Sequence, residues 1–445
     1  MKKVSILGAG LVGSLLAVML AKRGYSVSVY ERRPDMRKEK IVAGRSINLA
    51  LSDRGWKALA TAGLEEAIRK IAIPMHSRMV HATDGTENLQ AYGKEGQAIY
   101  SVSRGALNMA LMDLAEQQAG VKIYFNQRAD TIGLEQATVK FDSNSTVPLA
   151  KADLLFGADG AFSALRHSMQ FQDRFNLSQS YIDHGYKELN IPAGDHGAHR
   201  LYKNALHIWP RKNFMLIALP NLDGSFTCTL FFQFDGAVSF SAIQSEQDIE
   251  HFFREYFPDV IPLMPSYKED FANNPTASLV TVRCFPWSFK DTACLIGDAA
   301  HAIVPFFGQG MNCGFEDCTV LNELMDAHGD DWKKILPAFE SLRKPNADAI
   351  ADLALNNFVE MRDLVADPHF LAKKKIEKLI AAAYPERFIS PYQMVSFTHI
   401  PYAEALQKGN AIHAVTEQLL TIENLEAKMQ TPEIRQLVEP VLFGG

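Results

Sequence analysis

Apolar residues along the chain follow two alternating rhythms. Residues 4–7 form a run too short for a helix, and it ends at Gly8. Beyond Leu11, the apolar positions Leu16, Ala17, Leu20 and Ala21 recur at helical spacing, and after Gly24 a second short run, residues 26–30, stops at Glu31. The pattern predicts strand, turn, helix, strand. Two later segments repeat the start of that unit. Residues 153–157 run into Gly157-Ala158-Asp159-Gly160, with Ser163 marking a helix start. Residues 293–296 run into Gly297-Asp298, followed by Pro305-Phe306-Phe307-Gly308-Gln309-Gly310-Met311-Asn312 and a helix.

Between these segments the period changes to two. Over residues 183–234 the alternation is clearest where Phe226, Cys228, Leu230 and Phe232 oppose Thr227, Thr229 and Gln233, after a Pro220 to Gly224 turn. This predicts a sheet lobe with antiparallel pairing. From about residue 345 the chain reads as helical and charged, and the Lys373-Lys374-Lys375 cluster reads as a solvated helix face.

The first unit carries the glycine spacing of a dinucleotide-binding turn. Gly8 permits the tight turn, Gly10 lets the backbone approach a pyrophosphate, and Gly13 allows close packing of helix on strand. Leu11 and Val12 share that turn. Glu31 is placed to accept hydrogen bonds from an adenosine ribose, with Arg32 and Arg33 beside it. The glycines alone do not separate NAD from FAD. Three strand ends of this type, spread over some three hundred residues, imply one long cofactor. Asp159 and Asp298 lie at two of them, and Asp298 suits the hydroxyls of a ribitol chain. The turn before Gly310, Met311 and Asn312 brings a helix N-terminus towards a flat ring, where N–H groups stabilise the charge of a reduced flavin. The expected fold is therefore α/β: a Rossmann-type FAD-binding domain of the glutathione reductase kind, with an inserted antiparallel β-sheet substrate domain and a C-terminal helical region. The expected bounds are 1–70, 100–175 and 275–345 for the FAD domain, 71–99 and 176–274 for the substrate domain, and 346–445 for the helical domain closing the site.

Composition narrows the class. The 445 residues are about three times the common domain size of ~150, in keeping with several lobes. With 45 Lys and Arg against 51 Asp and Glu the net charge is −6, which argues against nucleic acid. Five cysteines without a CxxC pair fit neither a disulfide framework nor a zinc site, and point to a reducing, cytoplasmic setting. Residues 4–21 are uncharged after Lys2 and Lys3, but three glycines and two serines interrupt the run, so no membrane anchor is expected. The thirteen histidines form no HExxH, and no metal site is expected.

These motifs resemble those of the single-component FAD-dependent aromatic hydroxylases of the p-hydroxybenzoate hydroxylase-like class. Within the class the chain closely resembles the kynurenine 3-monooxygenase family. The telling stretches are Glu31-Arg32-Arg33-Pro34, Gly44-Arg45-Ser46-Ile47-Asn48-Leu49-Ala50-Leu51, Tyr186-Lys187-Glu188-Leu189, Leu206-His207-Ile208-Trp209-Pro210, Ile217-Ala218-Leu219-Pro220-Asn221, Ser225-Phe226-Thr227 and the segment Pro305 to Asn312. The resemblance implies bound FAD, transient NADPH, dioxygen, and L-kynurenine hydroxylated to 3-hydroxy-L-kynurenine, with oxygen delivered from the flavin C4a position. It implies a substrate-carboxylate anchor at Arg78 helped by Tyr92 and Tyr402, a polar contact at Asn357, and a flavin-contacting Arg104. Asn357, Glu360 and Met361 share one helix face, which reads either as a solvated stripe or, with Leu353, as a polar pocket wall. Pro305, Phe306 and Phe307, with Phe232, are expected as flavin loop and apolar walls. Some relatives carry His where this chain has Phe307, which removes any proton-transfer role there. Two other readings stay open: hydroxylation of a different aromatic acid, and a non-catalytic FAD-binding protein. Oligomeric state is left open.

Overall fold

The computed structural model describes residues 2–38, 47–360 and 368–443. Its first sheet has six strands in the order Ser288–Phe289, Ala293–Leu295, Leu154–Gly157, Lys3–Leu7, Ser26–Tyr30 and Val121–Tyr124. All pairs are parallel except the edge pair of Ser288–Phe289 with Ala293–Leu295. Parallel pairing requires crossovers, and helix Leu11–Lys22 supplies the first. Residues 13–20 of that helix are all buried, so it is enclosed on every side and not amphipathic. It packs tightly because Gly13 has no side chain: a Cβ there would stand 2.1 Å from the Gly8 carbonyl oxygen.

The second sheet has seven strands in the order Ala277–Phe285, Asn176–Ile191, Phe226–Gln233, Phe214–Pro220, Ala205–Arg211, Ser77–His81 and Glu87–Ala91. It departs from the expected antiparallel pattern at one junction, where Ala205–Arg211 and Ser77–His81 run parallel. Its orientation also corrects the expected apolar face. Phe226, Cys228, Leu230 and Phe232 point away from any ligand and pack on Ile249, Phe252, Phe253 and Phe271 of helices Glu246–Tyr256 and Tyr267–Asn273. The pleat therefore turns Thr229 and Phe231 towards the site, one residue off the expected register.

Two of the expected bounds, at 275 and at 345, do not follow the sheets and helices. Strand Ala277–Phe285 pairs with Asn176–Ile191, so the second sheet extends beyond residue 275 and the chain returns to the first sheet at Ser288–Phe289. Helix Trp332–Val359 runs through residue 345 with Pro337 and Pro345 inside it. The C-terminal part adds helices Pro368–Ala383, Pro391–Phe397, Tyr402–Leu419 and Pro432–Phe443. Among the described residues no helix is long and apolar enough to cross a membrane.

Gly13→Ala should lower stability by about 1–3 kcal/mol, because a backbone carbonyl cannot yield as a side chain can. Thermal denaturation measures this; an unchanged midpoint would mean that the close helix-to-strand contact is not required.

Candidate active site

In the first sheet, strand Lys3–Leu7 lies next to Leu154–Gly157, and Leu154–Gly157 next to Ala293–Leu295, all running the same way. Their C-terminal turns therefore open side by side onto one cavity of about 630 Å³. Of the expected cofactor residues, Gly8, Gly10, Leu11, Val12, Glu31, Arg32, Arg33, Arg104, Asp159, Asp298, Gly310 and Met311 line it. Gly13 and Asn312 do not. Gly13 acts through the packing described above. Asn312 is fully buried behind the wall; its amide donates to the Ala50 and Gly308 carbonyls at 2.8 and 3.0 Å and accepts the Ser52 N–H at 2.9 Å. It thereby ties the turn before the 310–328 helix to strand Asn48–Leu51.

The lining fits an elongated dinucleotide flavin. Nothing lies within 4 Å of where a Cβ of Gly10 would be, leaving room for a phosphate against the backbone. Helix Gly310–His328 starts without a side-chain cap or first-turn acid, leaving its N–H groups and positive dipole end for a ligand. Asp159 uses one carboxylate oxygen to accept the Ala164 N–H at 2.7 Å, while its other oxygen is buried with no protein partner and calls for a donor from a ligand. Burial raises its pKa. Glu31 accepts the Ala9 N–H at 3.0 Å on one oxygen, which retains a further lone pair, and the Arg33 backbone N–H and side chain at 3.0 and 2.9 Å on the other.

Away from the strand ends the cavity becomes an apolar chamber between the two sheets, walled by Ile208, Met215, Ile217, Phe231, Phe306 and Phe307. Arg78 enters it from strand Ser77–His81, with its Nε donating to Gln90 Oε1 at 2.9 Å. Tyr92 and Tyr392 also line it, their rings stacked at 5.3 Å and 18°. Phe307 also stacks with Tyr392, at 5.6 Å and 23°. Burial pushes the Tyr392 hydroxyl up to about 12 and Tyr92 well above its ordinary value, so both stay protonated donors near neutral pH. Asn357 lines the chamber and donates to the Phe306 carbonyl at 2.6 Å; Pro305 to Phe307 form one turn of 3-10 helix in the wall.

Two of the expected substrate residues fall elsewhere. Tyr402 is completely buried outside the cavity lining, its hydroxyl donating to Gln309 Oε1 at 3.0 Å. Tyr392 stands in the chamber instead. Each tyrosine follows a proline at a helix start, Pro391-Tyr392 and Pro401-Tyr402, ten residues apart, and the sequence offers little to choose between them. The capping box of Ser390 with Gln393 was the available signal for the earlier helix. Glu360, at the end of helix Trp332–Val359, is not among the lining residues, and Met361 lies outside the described residues.

Sequence reasoning also missed a buried charge cluster beneath the 297–298 turn. Asp317 accepts the Gly297 N–H at 3.0 Å and His301 Nε2 at 2.6 Å on one oxygen, and Arg343 Nε at 2.7 Å on the other. Arg343 also meets Glu316 at 2.5 Å, and Glu316 pairs with Arg54. Burial opposes charge on His301, but Asp317 outweighs it and holds the imidazole well above its usual value. Burial likewise acts against the Asp317 carboxylate, yet His301 and Arg343 keep it below the ordinary range. His301, Cys313 and Asp317 also form a group close enough to hold a metal ion, but in this structure Asp317 is engaged by nitrogen donors on both oxygens.

The fold and cavity define a class, the FAD-dependent monooxygenases. The family described as an FAD binding domain matches residues 1–354. The fold is shared with 2-methyl-3-hydroxypyridine-5-carboxylic acid oxygenase at a TM-score of 0.66 and 19% identity, covering 84% of this chain and 95% of that one. It is shared also with a single-residue variant of HpxO from Klebsiella pneumoniae, complexed with FAD, at a TM-score of 0.66 and 18% identity, covering 94% and 98%. The sequence goes further. The chain is 51% identical to the kynurenine 3-monooxygenase of Flavobacterium johnsoniae over 99% of its own length and 98% of that protein's. It is 48% identical to that of Myxococcus xanthus, over 99% and 96%, and 46% identical to that of Dictyostelium discoideum, over 94% and 93%. The chain belongs to the kynurenine 3-monooxygenase family.

Asp317→Asn should destabilise the protein by about 3–5 kcal/mol, since it leaves Arg343 and His301 buried without their counter-charge. The folded pKa of Asp317 lies below its ordinary 3.8, so its contribution is complete above that value and fades as pH falls through the folded pKa. Denaturation of wild type and variant at pH 7 and at pH 3 measures both; a gap that widens in acid would contradict the assignment.

Proposed function

We propose that this enzyme is an NADPH- and O2-dependent FAD monooxygenase converting L-kynurenine to 3-hydroxy-L-kynurenine. The observation that carries the reading is the lining of the cavity, which joins an arginine and two neutral phenols, a set of apolar walls and flavin-fitting strand ends. L-Kynurenine carries matching groups, an α-amino acid carboxylate, a carbonyl linker and an aromatic amine. When bound, FAD supplies electron transfer from NADPH and the activation of dioxygen.

The residues then bind and orient. Arg78 offers a planar fork to the carboxylate, and the Tyr92 and Tyr392 hydroxyls remain donors beside it. Phe231, Phe306 and Phe307 confine the aromatic ring and exclude water from the reacting face. The N-terminus of helix Gly310–His328 stabilises negative charge at the ring edge near it. The ring carbon attacked is made electron-rich by the substrate's own ortho amine, and no acid or base from the protein is assigned; Phe307 has no proton to give. In this reading the first sheet holds the cofactor, the second the substrate, and helices 332–359 and 391–397 close the chamber through Asn357 and Tyr392. The five cysteines are all free and buried, which supports action in the cytoplasm.

Arg78→Ala should raise the KM for kynurenine about 10- to 100-fold, the range for losing charge-assisted hydrogen bonds, with a smaller change in kcat. Decarboxylated kynurenine should bind wild type as poorly as kynurenine binds the variant. Steady-state kinetics with product mass analysis test both; an unchanged KM removes Arg78 from the site, and turnover of a different aromatic acid in place of kynurenine overturns the substrate assignment.

A further inference from the structure

Tyr402, displaced from the chamber, has a different set of contacts, and they connect two parts of the site. Its hydroxyl donates to Gln309 Oε1 at 3.0 Å, and Gln309 is itself 2% exposed. Gln309 is the residue from which helix Gly310–His328 starts: its carbonyl accepts the Cys313 N–H at 2.8 Å, and it follows the 305–308 turn that walls the chamber. On the other side, the Tyr402 ring lies 4.0 Å beneath the Arg54 guanidinium. Arg54 comes from helix Asp53–Thr61 and is buried; its Nε donates to the Val395 carbonyl at 3.1 Å, and it also bonds the Ile400 carbonyl and Glu316. Val395 belongs to helix Pro391–Phe397, which carries Tyr392 into the chamber.

A contiguous path therefore runs from the Tyr392 helix through Val395, Arg54 and Tyr402 to Gln309. We infer that Tyr402 is a positioning residue that couples seating of the C-terminal helices over the substrate to the geometry of the 305–309 turn beside the flavin. The phenol suits the task. Burial first and then Glu316 keep it protonated, so it remains a donor, and its partner oxygen is a neutral amide that cannot titrate away. A shift of about one ångström in this turn would displace the Phe306 and Phe307 walls and the helix N–H groups together, the kind of error that loosens control over a water-sensitive oxygen transfer.

The inference rests on the function proposed above, so its test includes a readout independent of turnover. Tyr402→Phe keeps the ring under Arg54 and removes only the hydroxyl. In the FAD-loaded variant, hydrogen exchange of the amides in residues 305–313 should quicken at least about fivefold, with the first sheet unaffected. With kynurenine, the share of NADPH consumed that appears as hydroxylated product should fall at least about twofold, the remainder appearing as hydrogen peroxide, while KM for kynurenine stays within about twofold. Gln309→Leu, cutting the same bond from the other side, should reproduce both effects, and the double variant should be no worse than either alone. Unchanged exchange and product yield in both single variants would overturn the inference, as would a raised KM with unchanged yield in Tyr402→Phe, which would return Tyr402 to the substrate. If wild type fails to hydroxylate kynurenine, the functional reading fails, while the exchange experiment still decides the coupling.

Discussion

A carboxylate without access to water sits where the principal elements meet. Asp317 holds the backbone N–H of Gly297 at the end of the third cofactor-facing strand, the imidazole of His301 just beyond it, and Arg343 from the long helix that runs to Asn357. Through Arg343 and Glu316 the same cluster reaches Arg54, which bonds the backbone of the C-terminal helices. Charges buried this deeply stabilise a fold only when each keeps its partners, so the cluster tolerates one relative placement of these segments and penalises others. The strand ends, the flavin turn and the chamber lid are consequently fixed relative to a common point.

The cavity inherits its division from that arrangement. Parallel strands in the first sheet place polar turns and helix starts at one end, where phosphates, ribitol and ring edge need donors. The second sheet presents its less apolar face to the chamber because its most apolar face is already taken by helices Glu246–Tyr256 and Tyr267–Asn273. In the proposed function Arg78 and two phenols, which line the cavity, receive the anionic group of the substrate. That reading places binding energy at the substrate's amino acid end and leaves the reacting ring among apolar walls.

Much of this was legible from residues alone. Gly8, Gly10, Gly13 and Glu31 declared the cofactor turn because that geometry admits few other residues, and the Gly-Asp pair at 297–298 marked a strand end far away in sequence. What remained hidden depends on three dimensions. Alternation in residues 226–233 revealed a strand and its two faces but not which face meets the ligand, so Phe232 stood in for Phe231. Two proline-tyrosine helix starts looked alike until packing sent Tyr392 into the chamber and Tyr402 under Arg54. The Asp317 cluster joins residues from position 54 to position 343, and no local pattern announces it.

In the proposed function this cavity inserts one atom of dioxygen into the ring of an amino acid held by its carboxylate. This is tested most directly by incubating the FAD-loaded enzyme with L-kynurenine, NADPH and oxygen-18 gas and determining the mass and fragmentation of the product. A hydroxylated kynurenine carrying one heavy oxygen on the aromatic ring, next to the amine, is the predicted result. Unlabelled product, or consumption of NADPH with kynurenine recovered unchanged, would contradict it.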